Sequence, residues 1–212
     1  MIKILSHRGY WLKPEEKNTV EAFERSFSLG FGTETDIRDY NGELVVSHDI
    51  ATSNSIAFED FLKIYVMYDK QLLLALNIKS DGLQDKLTEL LRQYAVTNYF
   101  VFDMSIPEAV VYCKKNISMY TRQSEYETVP SLYQESAGVW IDGFISDWVT
   151  PSTIIKHIDA GKKVCLVSPD LHRREHVDFW KKLKQTEELL RSDQLFLCTD
   201  YPKEAREYFY GK

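Results

Sequence analysis

Residues 33–49 read Thr33-Glu34-Thr35-Asp36-Ile37-Arg38-Asp39-Tyr40-Asn41-Gly42-Glu43-Leu44-Val45-Val46-Ser47-His48-Asp49. The run 33–37 has the β-branched, alternating form of a strand. Asn41-Gly42 is a dipeptide of tight hairpin turns, whose central residues need positive φ. Residues 43–47 are therefore expected as a short extra strand folded back on 33–37. With that strand set aside, eight apolar, β-rich runs remain, at 2–6, 33–37, 72–78, 99–104, 118–122, 138–145, 163–167 and 195–199.

The intervening segments have helical spacing. Val20, Phe23 and Phe27 fall at i, i+3 and i+7 and are ended by Gly30, while Leu83, Leu87, Leu90, Leu91 and Tyr94 form a second stripe. Asn18, three residues before Glu21, has the form of a capping box and is read as a helix cap. Pro107, Pro151 and Pro202 each stand near the start of a helical segment, where a missing N–H costs little. Strand and helix alternate without a linker, repeat or low-complexity stretch. One α/β domain over residues 1–212, built as a TIM (β/α)8 barrel, is the expected architecture. An open doubly wound sheet is the alternative, although no glycine-rich dinucleotide fingerprint follows the first strand.

Composition narrows the function. The chain has 212 residues, 44% apolar and 13% aromatic, enough for a sizeable core, and a net charge of −6. No basic stripe is available to neutralise nucleic-acid phosphates, and Lys181-Lys182-Leu183-Lys184 reads as a solvated helix face. Cys113, Cys165 and Cys198 are far apart and odd in number, which suits buried reduced thiols. No apolar run has the length of a signal-peptide core or a membrane span, so a cytoplasmic protein without an integral membrane segment is expected.

In a TIM barrel the active site forms where strands end. Polar residues of this chain gather there: His7-Arg8, Glu34 and Asp36, His48, Asn77 and Lys79, Asp103, Arg122 with Glu125, Asp147, and Asp200. Glu34 and Asp36 are two apart on a strand and share a face, an arrangement suited to an oxygen-ligated divalent cation. Two imidazoles, two carboxylates and an arginine together suggest metal-assisted phosphodiester chemistry. Single residues also have plainer readings: Asp49 as a turn residue, Asp200 as a helix cap, Arg122 and Glu125 as a surface pair.

The motifs resemble those of the glycerophosphodiester phosphodiesterase family: His7-Arg8-Gly9, Asn18-Thr19, Glu34-Thr35-Asp36, His48-Asp49 and Thr199-Asp200-Tyr201-Pro202, in the family's order. The resemblance implies a TIM barrel that hydrolyses a small-molecule phosphodiester. It implies His7 and His48 as general acid and base in an order left open, with Arg8 and Lys79 binding phosphate. Glu34 and Asp36 would hold Mg2+ or Ca2+.

The chain departs from the family at three places. Asn77 occupies the position of the family's third acidic ligand, so either its amide or an acid such as Glu125 is expected to complete the cation site. The first loop, Pro14 to Thr19, is two residues longer than usual, with Glu16 preferred over Glu15 for the usual glutamate. Only 50–56 follows His48-Asp49 before the next helix, where the family usually carries an inserted subdomain. This compact variant should have a more open mouth. Tyr10, Trp11 and Trp148 are candidates for stacking on substrate or for simple packing. The other readings are a barrel that binds a phosphorylated ligand without turnover, or a phospholipase-like cleavage through a cyclic phosphate.

Overall fold

The structure, a computed structural model, describes residues 1–211. In chain order the elements are β1 (Lys3–His7), α1 (Val20–Ser28), β2 (Gly32–Tyr40), β3 (Glu43–Val46), β4 (Ile56–Ala57), α2 (Phe58–Val66), β5 (Leu74–Ile78), α3 (Gln84–Gln93), β6 (Tyr99–Phe102) and α4 (Ile106–Lys114). They continue with β7 (Tyr120–Gln123), β8 (Gly138–Ile141), α5 (Pro151–Asp159), β9 (Lys163–Val167), α6 (Val177–Gln185), α7 (Glu187–Arg191), β10 (Leu195–Thr199) and α8 (Pro202–Tyr210). All eight expected main strands are present. The contacts group the chain into two compact units, residues 6–119 and residues 1–5 with 120–212.

In the unit 6–119, β2 is the pivot. It pairs in parallel with β5, with Asp36 opposite Asn77, and β5 pairs in parallel with β6. On its other side β2 folds back antiparallel onto β3 through Asn41 and Gly42, whose φ values are +51° and +79°. These are the left-handed conformations that an Asn-Gly turn supplies. The hairpin extends β2 to Tyr40, beyond the expected end at Ile37, because Arg38, Asp39 and Tyr40 find ladder partners in β3. The two-residue β4, pairing with β3, is too short to leave a periodic signal.

Helices α1 and α2 cover this sheet with interlocked rings. Phe23 and Phe61 meet edge to face at 4.6 Å between centroids, and Phe27 meets Tyr65 at 5.4 Å. Each fully buried ring contributes about 1.5–3 kcal/mol relative to exposure. Val20, counted in the expected stripe, is exposed at the first turn of α1. Asn18 does not cap the helix. Thr19 does, accepting from the Ala22 amide, while Asn18 adopts φ +60°.

In the other unit β10, β9, β8 and β7 form a continuous parallel ladder. Trp180 of α6 is its largest fully buried side chain and donates to Ser168 Oγ at 2.9 Å. Pro107, Pro151 and Pro202 occupy the first or second positions of α4, α5 and α8. Strand β8 ends at Ile141 rather than at the expected Ile145. The reason is local: the amides of Phe144, Ile145 and Ser146 each donate at 3.0 Å to the Glu125 carboxylate, which removes them from the ladder. None of the helices among the described residues is long and apolar enough to cross a membrane.

Candidate active site

The end of β1 turns sharply into the site. Arg8 and Gly9 both have positive φ, +59° and +81°. Gly9 is required twice over, because a Cβ there would stand 2.7 Å from Ala22 Cβ as well as straining the backbone. The turn is held by the Arg8 amide donating to Glu34 O at 2.9 Å and the Gly9 amide to Thr33 Oγ1 at 3.0 Å. Arg8 O in turn accepts from the Asn18 amide at 2.9 Å, which ties the first loop to the same point.

Glu34 and Asp36 are 2% and 0% exposed. Asp36 Oδ2 lies 3.0 Å from Arg8 Nε and accepts from Asn18 Nδ2 at 2.9 Å. Its other oxygen is 3.5 Å from Lys79 Nζ, which is also 3.5 Å from Asp103 Oδ2. His7 Nε2 is 3.9 Å from Glu34 Oε2. Burial, and then the charge of Asp36, push the Glu34 carboxyl up to about 8, with Arg8, Lys79 and the Asn77 amide acting in the opposite sense.

Three buried oxygens of this group accept no hydrogen bond: Glu34 Oε2, Asp36 Oδ1 and Asn77 Oδ1. Buried acceptors without donors are costly, and oxygen donors of this kind are what a hard divalent cation takes. The residues therefore fit such a cation in donor chemistry. Among the described residues no three His, Cys, Asp or Glu side chains form a ligand group, which marks the amide of Asn77 as the unusual member.

His48 follows β3 and is about half exposed, with Nδ1 2.8 Å from Asp49 Oδ1. That contact holds the Asp49 carboxyl below its usual range. With the Nδ1 proton directed at Asp49, Nε2 is the ring nitrogen that Asp49 does not engage. Asp49 therefore orients His48 as well as turning the chain. Arg8 and His48 both line an open groove of about 590 Å³, walled by segments 14–21 and 46–56.

Several other sequence candidates have partners of their own. Glu125 serves the backbone of 144–146; burial alone would raise its carboxyl, but the amides of Ser146, Ile145 and Phe144 outweigh that and hold it down to about 2. Arg122 pairs at 2.8 Å with Glu127, and Asp147 pairs at 2.8 Å with Arg174. The amide of Asp200 donates to Asp170 at 2.7 Å, and the cap of α8 is Tyr201. Glu16 accepts from the Leu12 amide and pairs with Arg25 at 2.8 Å, bracing the first loop. Trp11 carries Lys17 over its ring at 4.5 Å and donates to His7 O at 3.2 Å, Trp148 donates to Asp142 O at 2.8 Å, and Tyr10 packs edge to face on Phe31. Sequence reasoning missed Asn18. The available signal was Thr19, a competent cap one residue later that leaves Asn18 free for Asp36 and for Thr35, whose hydroxyl donates to Asn18 Oδ1 at 2.9 Å.

No family model matches the chain, and no curated protein matches it. Solved structures do. A Galdieria sulphuraria protein assigned to the glycerophosphodiester phosphodiesterases is 18% identical, with TM-score 0.75, over 99% of this chain and 98% of that one. An Oleispira antarctica phosphodiesterase in complex with the product sn-glycerol-3-phosphate is 15% identical, with TM-score 0.69, over 98% and 96%. A Ca2+-dependent phosphatidylinositol-specific phospholipase C from Streptomyces antibioticus is 11% identical, with TM-score 0.56, over 98% and 95%. The chain has the fold of these phosphodiesterases, the (β/α)8 barrel.

Proposed function

We propose that the chain is a divalent-cation-dependent phosphodiesterase that cleaves a glycerophosphodiester or a related small diester to an alcohol and a phosphomonoester. The observation that carries this reading is the buried group of Glu34, Asp36 and Asn77, with three unbonded oxygens beside Arg8 and His7. A phosphodiester is anionic and repels nucleophiles, so its charge must be offset before attack. Arg8 does this with a planar donor fork and Lys79 with a compact ammonium. Held by Glu34, Asp36 and Asn77, Mg2+ or Ca2+ would supply Lewis-acid polarisation of a phosphoryl oxygen.

The imidazoles move the protons. One of His7 and His48 takes the proton of the attacking hydroxyl as its oxygen bonds to phosphorus. The other donates a proton to the departing alkoxide as the second P–O bond breaks. Asp49 steadies His48 in the tautomer this requires. Attack by water gives the monoester directly, whereas attack by a neighbouring substrate hydroxyl gives a cyclic phosphate first.

The test uses glycerophosphocholine, glycerophosphoethanolamine and bis(p-nitrophenyl) phosphate with Mg2+, Ca2+ or chelator. His7→Ala and His48→Ala are each expected to lose about a hundred- to ten-thousand-fold in kcat. Added cation should also raise the thermal midpoint, since a ligand of the folded state stabilises it. Binding of these diesters without cleavage would replace the enzyme by a phosphate-ligand-binding barrel. Detection of a cyclic product would assign the internal attack.

A further inference from the structure

The groove beside Arg8 and His48 is far larger than a phosphate needs. Its volume of about 590 Å³ is in the range that holds an entire small ligand. Its chemistry is one-sided. Among the described residues that line it none is Phe, Tyr or Trp, and its apolar members are Pro14, Val20, Val46 and Ile56. A quaternary ammonium such as choline is recognised by aromatic rings, and acyl chains by continuous apolar surface. Neither is offered.

The walls instead carry groups that exchange hydrogen bonds with hydroxyls. Ser55 Oγ accepts from the Thr52 amide at 3.1 Å and Thr52 Oγ1 from the Asn54 amide at 3.3 Å, so both keep an O–H to donate. Opposite them, Glu21 stands in the first turn of α1. Glu21 and Asn54 line the groove, and their side chains have no hydrogen-bond partner among the described residues. Carboxylate and amide together provide acceptors and donors for a hydroxyl-rich ligand.

We infer that the diester cleaved here carries a neutral polyol of hexose or cyclitol size, seated in this groove with its hydroxyls on Glu21 and Asn54. The inference rests on the phosphodiesterase reading for its catalytic form, and it assigns selectivity to two residues outside the acid–base and cation groups. A site built to bond hydroxyls discriminates against an analogue that leaves those groups unpaired.

The experiment compares kcat/KM for glycerophosphoinositol and glycerophosphocholine in the wild type, Glu21→Leu and Asn54→Leu. The wild type is expected to prefer the inositol diester at least about tenfold, and each variant to lower that ratio by about tenfold. The choline diester carries a cation and the inositol diester does not, so loss of the Glu21 charge by itself would raise the ratio, and a fall in it reports the lost hydroxyl bonds. A wild-type ratio near one or favouring choline overturns the inference, as does a ratio that neither variant moves. Calorimetry of both diesters on His48→Ala separates this from the catalytic reading. If no diester is cleaved but the inositol diester binds tenfold tighter, the groove assignment stands and the enzyme reading fails. Equal binding of the two overturns the groove assignment.

Discussion

Replacing the Asn77 amide by a carboxylate adds a full negative charge where β5 faces Asp36. A charge of that kind close to a bound cation is worth at least a factor of ten in affinity even at a high effective dielectric. Asn77→Glu is therefore expected to tighten Mg2+ or Ca2+ at least about tenfold by calorimetry. Without cation the same variant should unfold earlier, because a third buried carboxylate joins Glu34 and Asp36. Gly9→Ala is expected to cost about 2–4 kcal/mol in denaturant unfolding, combining left-handed backbone strain with a clash on Ala22. Most of the candidate site was legible at this scale because its residue types sit at strand ends in a recognisable order. Asn18 was not, since an asparagine before a helix reads as a cap whether or not a neighbour already fills that role. Glu125 was equally ambiguous: an acid after a strand reads the same whether it binds a cation or three amides.

At the level of elements, the carboxylate of Glu125 shapes the segment after β8. Its carboxyl is held down to about 2, below its ordinary range, so its contribution to stability is fully present above about pH 4.5 and is lost as pH falls through about 2. Wild type should exceed Glu125→Gln in thermal midpoint at pH 6, and the gap should close progressively between pH 4.5 and pH 2. A gap independent of pH would show that shape, and not charge, holds the segment. Element types were well expressed in the sequence, whereas element ends were not. Strand β2 was lengthened by the hairpin partner that follows it and β8 was shortened by Glu125, 20 residues before Ile145, and both effects come from residues outside the strand's own apolar run.

Across the whole molecule, the alternation of eight apolar runs with helical stripes specified a barrel, and the solved structures it matches have that fold. This level was the most legible because burial on a parallel sheet leaves continuous apolar runs that single polar substitutions do not erase. The core also protects its thiols. Cys165 and Cys198 are buried and Cys113 is half-buried, and none is bridged. An aromatic disulfide reagent should therefore modify Cys113 readily in the native protein and all three cysteines in guanidinium. Rapid native modification of Cys165 or Cys198 would contradict the packing of β9 and β10.

The walls of the groove lie on the first loop with the start of α1 and on the loop from β3 to β4, while Glu34, Asp36 and Asn77 are fixed in paired strands. On the proposed reading, cation binding and alcohol selectivity thus occupy different mutational neighbourhoods. Exchange of Glu21, Thr52 or Asn54 is then expected to change the alcohol preference while leaving the cation group in place. Asn18, like Arg8 and His48, belongs to both: it borders the groove and donates to Asp36, so on that reading its replacement is expected to alter both what is recognised and how fast it is cleaved.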